Sequence, residues 1–461
     1  MGERVIFHID VNSAFLSWSA VKALEEDPNA LDLRTVPSAV GGDIKTRHGI
    51  ITARSIPAKQ YGIKTGEPVV KALQKCPELI LVRGDFATYR RYSHAFMEIL
   101  RKYAVVVEPA SIDEAFLDMT GTEGLFAEEI AAGDPFPVCA ARVIKDEIRD
   151  TLGFTVNVGI SCNKLLAKMA SDFRKPDRIH TLYPQEVPEK MWPLPVGALY
   201  GCGAKTAARL NDLGIRTIGE AAKADPVMLR KILGEKGGEY IHAAANGYGS
   251  DVVSDEQEAA KSYSNEITTA EDVTALNYQT LGIELLHRLA ESVSRRLQRD
   301  NVRAYTIVVT VKTAGFHRHT RQTTLRDATN REEVIFQTAD RLMRGLLFGE
   351  EAAPLTREKR GKQTPDNGGA LIREKSGYRA QEDGGLLARE DGIRLIGVGA
   401  GKLEDSPFEQ MDLFQWLEEA KKQKESAQNE EKTRKLQEML DNANGRYGNG
   451  ALTKGFRIEH E

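Results

Sequence analysis

The sequence predicts a multidomain protein of the mixed α+β class. Its 461 residues correspond to about three domains, at roughly 150 residues per domain. Hydrophobic residues make up 41% and charged residues 28% of the chain, as in proteins with packed cores. Short β-branched runs alternate with helical stretches in the first part of the chain, and a mostly helical pattern follows. These features exclude collagen-like, coil-only and wholly disordered proteins.

Three apolar runs predict strands of one buried sheet. They are Val5–Ile9, Ala104–Val107 and Thr155–Ile160, each bounded by polar or glycine residues. The stretch Asp43–Gly66 between the first two is basic and contains glycine, which predicts a small subdomain inserted between strands. The pattern turns helical over residues 164–240, so we expect a separate helical region there.

The second half of the chain predicts another α/β module. Polar residues over 246–260 are typical of a linker that precedes it. A 16-residue repeat spans residues 355–391, but each unit is too polar and glycine-rich to bury a face. A strand pattern resumes at Ile393, so the repeat predicts a mobile insertion at about 350–391 that interrupts the module without ending it.

Charge, cysteine content and hydropathy narrow the cellular setting. The chain has 63 Lys and Arg against 67 Asp and Glu, so any affinity for nucleic acid must come from local basic clusters. Four cysteines without a C-x-x-C pair argue against a disulfide framework or a zinc ribbon. The amino-terminal apolar run is too short for a signal peptide or a membrane span. We expect a cytoplasmic protein with no membrane partner.

A glycine-containing turn predicts a helix-hairpin-helix motif. Gly201 and Gly203 provide backbone that can lie against a phosphate, and Lys205 opens a helix whose N-terminus attracts anions. The backbone amides of such a motif would contact the phosphates of DNA. A plain corner between two helices is the alternative.

A basic cluster lies in the second module. Residues 288–326 contain nine basic and two acidic residues, a local net charge of +7 in a chain that is negative overall. This pattern is typical of a face that follows nucleic-acid phosphates, and a merely solvated basic helix is the alternative. The residues predicted to bind DNA here are Arg295, Arg303, Lys312, Arg318 and Arg321.

Three acidic residues suit metal-assisted chemistry at phosphorus. Asp10 ends the first strand, and Asp113 and Glu114 immediately precede another apolar run. Carboxylates from separate strands can bind two Mg²⁺ ions about 3.5–4 Å apart, a geometry that serves in-line displacement. Neighbouring strand residues point to opposite faces, so Asp113 and Glu114 can share a metal site only at a strand end or turn. An exposed acidic turn is the alternative.

Four motifs together resemble the Y-family of translesion DNA polymerases, and resemble its UmuC-like branch more closely than its DinB-like branch. The resemblance spans residues 4 to about 400 in the family's order, and its Ser-Ile-Asp-Glu-Ala motif is highly specific. The motifs are Asp-Val-Asn-Ser-Ala-Phe at 10–15, Ala-Arg-Ser with Ala-Lys at 53–59, Ser-Ile-Asp-Glu-Ala-Phe-Leu-Asp at 111–118, and Val-Gly-Ile-Ser-Cys-Asn-Lys through Lys-Pro at 158–176.

This resemblance implies a right-hand polymerase fold. It comprises a palm with a ferredoxin-like sheet, small fingers, a helical thumb with the helix-hairpin-helix, and an α/β little finger that grips DNA. The implied boundaries are palm 1–20 and 80–170, fingers 21–79, thumb 171–245, linker 246–260, little finger 261–400, and a tail 401–461.

The resemblance also implies roles for individual residues. Asp10, Asp113 and Glu114 match the metal ligands, with the backbone carbonyl of Val11 as a further ligand. Phe15 matches an aromatic steric gate, which would exclude a 2′-hydroxyl by clash. Taken alone, Phe15 would be a core residue.

The predicted triphosphate contacts depart from the family pattern. The family has a Tyr and an Arg three residues apart in the fingers, but no Tyr stands there in this chain. Either Arg54 or Lys59 would clamp the phosphates, and the sequence leaves both open. Lys175, before Pro176, matches a palm lysine that offsets charge on the leaving pyrophosphate.

A short peptide in the tail resembles the segment by which bacterial polymerases dock on the sliding clamp. Gln410 would serve as its anchor, and Leu413 and Phe414 would enter an apolar pocket. Tethering by such a peptide would raise the effective concentration of enzyme at the primer end. An amphipathic helix that packs on its own protein is the alternative.

The implied activity is template-directed DNA synthesis past damaged bases, with two Mg²⁺ ions, in DNA repair and SOS-type mutagenesis. Primer-template DNA, dNTP and the clamp are the expected partners, and the need for a recombinase filament or an activator subunit is left open. A non-catalytic clamp-bound adaptor on the same scaffold is one alternative, although all three acids are present. A metal-dependent nuclease is another, but no extra His or Lys stands beside the acids in the sequence to activate water.

Overall fold

The structure, a computed structural model, describes residues 4–42, 49–133, 135–256, 259–349, 385–388 and 392–405. Its contacts divide the chain into two compact units between Ala260 and Lys261. The predicted clamp-binding peptide, and the predicted insertion apart from residues 385–388, lie outside the described residues. All four cysteines carry free thiols. None of the described helices combines the length and the apolar character needed to cross a bilayer.

The first unit contains eight strands and eleven α-helices in its described part. The strands are β1 (Ile6–Val11), β2 (Ser38–Gly41), β3 (Ile51–Arg54), β4 (Ile80–Val82), β5 (Val106–Pro109), β6 (Glu114–Asp118), β7 (Val156–Ser161) and β8 (Ile179–Thr181). The helices are α1 (Ala14–Glu26), α2 (Ile56–Gln60), α3 (Val69–Lys75), α4 (Phe86–Arg101), α5 (Ala127–Ala131), α6 (Val138–Leu152), α7 (Lys164–Ser171), α8 (Ala204–Asp212), α9 (Ile218–Lys223), α10 (Pro226–Leu233) and α11 (Glu235–Ala245).

A five-stranded sheet with the order β5-β6-β1-β7-β8 forms the centre of this unit. β1 runs antiparallel to both of its neighbours, and β7 and β8 are parallel. Alternate residues of β1 point to opposite faces. Phe7, Ile9 and Val11 join the main core with residues of α1, α4 and α6, whereas His8 and Asp10 face the other side, beside α7.

A smaller sheet has the order β3-β2-β4; β3 lies in the stretch where the sequence predicts an inserted subdomain, and β2 and β4 flank that stretch. Its core includes Ile51, Ile63 and Val69. Ser55 ends the strand region and begins α2, since its hydroxyl accepts a hydrogen bond from the Ala58 amide. This turn brings the candidate phosphate-binding residues to one end of the small sheet.

Helices α8 to α11 pack around a core of their own, together with α7. The predicted linker segment also makes contacts within this unit. Val253 is buried against Ile6 and Phe116, and the Ser254 amide donates to Glu108 at 3.0 Å. The chain therefore lies along the sheet for much of residues 247–256.

The second unit has a four-stranded antiparallel sheet with the order β11-β10-β12-β9. Helices α12 and α13 cover one face and bury a core that includes Ile307, Val309 and Val398. The strand that follows the predicted insertion lies in the middle of this sheet. The elements are β9 (Ser262–Val273), α12 (Ile283–Arg299), β10 (Val302–Thr313), β11 (Arg318–Thr329), α13 (Glu332–Leu347) and β12 (Ile393–Asp405).

Candidate active site

Two of the three predicted catalytic acids are direct neighbours across strands. Asp10 lies opposite Glu114 in the register of β1 and β6. Side chains at such positions have Cβ atoms about 4.5–5.5 Å apart and share one face of the sheet. Asp113 precedes the strand, in a bend, and its carbonyl accepts from the Val11 amide at 2.9 Å. Asp10 and Glu114 therefore share one face at the strand end, and Asp113 lies in the bend immediately before Glu114.

Asp10 is held by a lysine from the segment that follows α7. Lys175 Nζ lies 2.6 Å from Asp10 Oδ1 and 2.9 Å from Asp172 Oδ1. Burial raises the pKa of Asp10, and the Lys175 ammonium partly offsets this effect. Burial also works against the charged form of Lys175, but the two carboxylates raise its pKa above the ordinary lysine value.

Glu114 has a different pair of neighbours. Its Oε2 atom forms an ion pair with Lys168 and lies 3.4 Å from Nε2 of His8, which is fully buried. The proximity of His8, and then of Lys168, lowers the pKa of Glu114 to about 2 despite its partial burial. The expectation that no His or Lys stands beside the acids is therefore wrong, because strand alternation and helix packing bring both residues from positions distant in sequence.

Asp113 completes the acidic group but has its own local partner. Its Oδ1 atom accepts from the Ser111 hydroxyl at 2.6 Å. Within the described residues, no three His, Cys, Asp or Glu side chains converge closely enough to enclose a metal ion. The Asp10 and Glu114 carboxylates nevertheless fit a divalent cation by donor type and by position, since both are half-shielded oxygen ligands on one face.

A cavity of about 500 Å³ opens beside Asp10. Glu114 is not among the residues that line it. The predicted metal, sugar and phosphate contacts that line it come from four parts of the chain and are Asp10, Val11, Phe15, Arg54, Lys59, Asp113 and Lys175. The structure thus brings all four predicted nucleotide-binding residues to one space.

Phe15 lies in the first turn of α1 and has two roles in the packing. Ser13, with φ of 51°, makes the tight turn from β1 into this helix. The Phe15 ring stacks on Tyr89 with a centroid distance of 4.6 Å and an interplanar angle of 12°. The Tyr89 hydroxyl is in turn 3.0 Å from Ser19 Oγ. Phe15 therefore packs on the core with one side and borders the cavity with another.

The cations of the cavity differ in how they are held. Arg54 donates to the Thr65 hydroxyl at 2.5 Å. No acidic side chain of the described residues forms an ion pair with Lys59. Burial, and then the nearby Arg54 and Lys175, lower the pKa of Lys59, so this corner of the cavity carries surplus positive potential. Sequence reasoning missed a further lining residue, Arg34, which is paired with Asp32 at 2.8 Å.

The two glycines of the predicted helix-hairpin-helix are not equivalent. Gly201 has φ of +81°, and a Cβ there would lie 2.5 Å from the Tyr240 ring, so the fold itself requires glycine. Gly203 has an ordinary φ of −67° and caps α8, and a Cβ there would meet open space. Lys205 is exposed in the first turn of α8. No contact among the described residues therefore requires glycine at position 203.

The predicted basic cluster of the second unit does not form one face. Lys312 and Arg318 are direct partners across β10 and β11. Arg321 lies opposite Val309, a core residue, so it belongs to the helix side of the edge strand. Arg295 lies on α12 itself. A linear run of positive charge thus divides between the two sides of a sheet, because strands alternate and helices cover only one side.

Several of these basic residues have local partners. Arg295 pairs with Glu291 on its own helix, and Arg303 lies opposite Glu404. Arg318 reaches Glu266 of β9 at 3.0 Å, across the two central strands. The Lys312 ammonium lies 5.9 Å from the centre of the Phe316 ring.

The palm-like sheet, the small inserted sheet and the second β-sheet module define a polymerase of the right-hand class. Sequence models of the impB/mucB/samB family match this chain over residues 9–172, with the family's C-terminal domain over 260–358 and its HHH motif over 184–215. A solved structure of a Y-family DNA polymerase chimera matches with a TM-score of 0.63 and 23% identity, covering 86% of this chain and 98% of that one.

Curated relatives agree with the family match. A DNA polymerase IV of Clostridium acetobutylicum is 41% identical over 353 residues, covering 76% of this chain and 84% of the relative. DNA polymerase IV 1 of Bacillus subtilis is 33% identical over 463 residues, covering 99% of this chain and 94% of the relative. The chain belongs to the impB/mucB/samB family of Y-family DNA polymerases. These matches do not separate the UmuC-like from the DinB-like branch, and they do not favour the adaptor alternative.

Proposed function

We propose that this chain adds deoxynucleotides to a primer 3′ end at the cavity beside Asp10, and that it continues past damaged template bases. The cross-strand pair of Asp10 and Glu114, next to a space lined by cations, carries the proposal. A cavity with this charge suits a triphosphate, whose negative charges would relieve the repulsion among the lysine and arginine side chains.

Asp10, Asp113 and Glu114 are the proposed ligands of two Mg²⁺ ions, with the Val11 carbonyl as a further ligand. Family membership implies dependence on a divalent metal, and the oxygen donors of these residues suit Mg²⁺. Two such metal ions, when bound, would stabilise the charge on the attacking and leaving oxygens of a displacement at phosphorus. The strand register supports the assignment of the first and third ligands, since it fixes their carboxylates as neighbours.

Lys59 is the proposed triphosphate clamp, in preference to Arg54. Arg54 already donates to Thr65, whereas the pKa of Lys59 is lowered by burial and then by positive neighbours, whose effect an anion would offset. In the reaction, the primer 3′ oxygen forms a bond to the α-phosphorus while the bond to pyrophosphate breaks. Lys59 and Lys175 would offset the negative charge that develops on the leaving pyrophosphate.

Phe15 is the proposed gate for the sugar. Its stacking on buried Tyr89 restrains the ring at the cavity wall, so the ring cannot easily move aside for a 2′-hydroxyl. Discrimination would then come from a clash with ribonucleotides and not from attraction to deoxyribonucleotides.

The DNA contacts proposed outside the cavity come from both units. Gly201, Gly203 and Lys205 would approach a phosphate at the start of α8, where backbone amides and the helix dipole favour an anion. Open space around Gly203 supports that part of the proposal. In the second unit, Lys312 and Arg318, which lie together on the face of the sheet away from the helices, would contact the backbone of the duplex.

The peptide from Gln410 to Phe414 is the proposed docking segment for a sliding clamp. This proposal rests on the sequence pattern alone, since the peptide lies outside the described residues. Replacement of Leu413 and Phe414 by alanine should reduce capture of the enzyme by immobilised clamp. Full capture of that variant would point to another docking segment.

Primer extension with Mg²⁺ and dNTPs tests the central assignment. Asp113→Ala and Glu114→Ala should each abolish synthesis while binding to primer-template DNA survives, because the proposed role of the acids is in the reaction and not in DNA binding. A gel-shift titration on the same preparations measures DNA binding. Wild-type synthesis by either variant would eliminate that residue from the catalytic set.

A further inference from the structure

Lys168 holds Glu114 from a position that the cavity does not reach. Its ammonium forms an ion pair with Glu114 Oε2, and its side chain is only 12% exposed. His8 lies near the same carboxylate, but its Nε2 atom has no hydrogen-bond partner among the described residues. Lys168 is therefore the hydrogen-bond donor that fixes this end of Glu114.

The fold places Lys168 there by a close helix–strand contact. Gly159 of β7 lies opposite His8, and a Cβ at Gly159 would fall 2.0 Å from the Ala167 carbonyl oxygen. Only glycine lets α7 approach the sheet so closely. On the same helix, Ser171 Oγ lies 2.8 Å from His8 Nδ1 and donates to the Lys168 carbonyl at 2.8 Å. Strand, helix and side chains form one rigid support below the acid.

The two lysines that contact the acids differ in accessibility. Lys175 lines the cavity and is 30% exposed, so it can exchange Asp10 for another anion. Lys168 is not among the lining residues, and it is less than half as exposed. Its ion pair is the less accessible of the two.

We infer that Lys168 is a positioning residue for DNA synthesis: it orients the Glu114 carboxylate and opposes excessive binding of divalent cations at the acidic pair. The inference rests on the proposed function of Glu114. Residues that orient metal ligands typically change metal affinity or activity by about 10- to 100-fold when replaced. The positive charge adds a second effect, because it would repel a divalent cation held by the same carboxylate.

Lys168→Met separates these two effects. Turnover in single-nucleotide extension should fall about 10- to 100-fold, since Glu114 loses its orientation. Binding of Mn²⁺ to the free enzyme, measured from the electron paramagnetic resonance signal of unbound Mn²⁺, should tighten by about tenfold, since a repelling charge is removed. Lys168→Arg keeps the charge and should restore most of the turnover. Lys168→Gln repeats the test if the methionine variant does not fold.

Lys164→Met is the matched control. Lys164 lies one turn earlier on α7 and pairs with Glu108 of β5 at 3.0 Å, so its loss removes the same kind of ion pair away from the acids. It should change neither turnover nor Mn²⁺ affinity. Normal turnover in Lys168→Met, unchanged or weaker Mn²⁺ binding, or the same split in Lys164→Met would overturn the inference.

The variant Glu114→Gln distinguishes this inference from the proposed function. If Glu114→Gln loses synthesis while Lys168→Met behaves like wild type, only the role of Lys168 is wrong. If Glu114→Gln synthesises DNA and binds Mn²⁺ normally, the assignment of Glu114 itself fails.

Discussion

The two large sheets of the molecule each have one face without a full helix layer. The charged side chains on these faces differ in their exposure to solvent. In the first unit, Asp10 and Glu114 are only 15% and 21% exposed, and each is paired with a lysine. In the second unit, Arg318 and Glu266 are 54% and 44% exposed. Shielded charges interact strongly and hold a fixed geometry, whereas exposed charges interact weakly and exchange partners.

The middle of the second sheet strengthens this contrast. Gly397, Gly399 and Gly401 of β12 alternate along its open face, opposite threonine and valine residues of β10. They line a shallow depression of about 230 Å³ that contains no catalytic acid. We interpret the first sheet face as preorganised for the proposed phosphoryl-transfer reaction. We interpret the second as a surface that a DNA backbone can approach closely.

Phe15→Ala should give the largest change among the tests that break this comparison. The ring is held at the cavity wall by Tyr89, so its removal would open the space from which the proposed gate excludes a 2′-hydroxyl. Relief of such an overlap is worth about 1–3 kcal/mol, so ribonucleotide incorporation should rise about 5- to 150-fold relative to deoxynucleotides. Single-nucleotide kinetics with matched dCTP and CTP measure the ratio.

Phe15→Leu is the control, since it keeps an apolar side chain but changes the shape of the wall. We expect an intermediate ratio. An unchanged sugar preference in Phe15→Ala would remove the gate role and leave Phe15 as a packing residue of α1.

The sequence predicted β1, β5 and β7 of the first sheet because each contains a short β-branched run bounded by polar or glycine residues, and the acidic motif placed Asp113 and Glu114 before a further apolar run. It could not predict Lys168 or His8 beside Glu114. Nothing in a linear pattern shows that Gly159 lets α7 settle on β7, and that contact brings the lysine to the acid.

The basic cluster of the second unit shows the opposite limit. Counting charge over 288–326 located the region but not the face, since alternation along β11 sends Arg318 and Arg321 to different sides. Register depends on pairing with β10, which the charge pattern does not encode.

Lys59→Met should give the next largest change. Hydrogen bonds to charged groups are worth about 1.5–3 kcal/mol, so loss of the ammonium should raise the KM for dNTP by about tenfold or more. Arg54→Met should have a smaller effect on KM, because the Arg54 guanidinium already donates to Thr65. Steady-state extension at varied dNTP concentration gives both values.

Lys59→Arg keeps the charge and should retain most of the affinity for dNTP. A larger rise in KM for Arg54→Met than for Lys59→Met would reverse the assignment of the clamp.

The smallest expected effect concerns the exposed pair of the second sheet. Glu266 forms an ion pair with Arg318 across the open face, so it would compete with a DNA phosphate for the same guanidinium. Exposed ion pairs are worth about 0.2–1 kcal/mol, so Glu266→Gln should tighten DNA binding by about 1.5- to 5-fold at low salt. Fluorescence anisotropy with a labelled primer-template duplex measures the affinity.

Arg318→Ala should weaken binding and reduce the slope of log affinity against log salt by about 0.9, the value for one phosphate contact. The double variant should bind like Arg318→Ala, since Glu266 then has no cation to withhold. Glu332→Gln removes the same charge from an ion pair with His287 on the helix side of the unit, so it serves as the control. Equal tightening in Glu332→Gln would mean that net charge alone governs binding. It would contradict the hypothesis that DNA binds to the open face of this sheet.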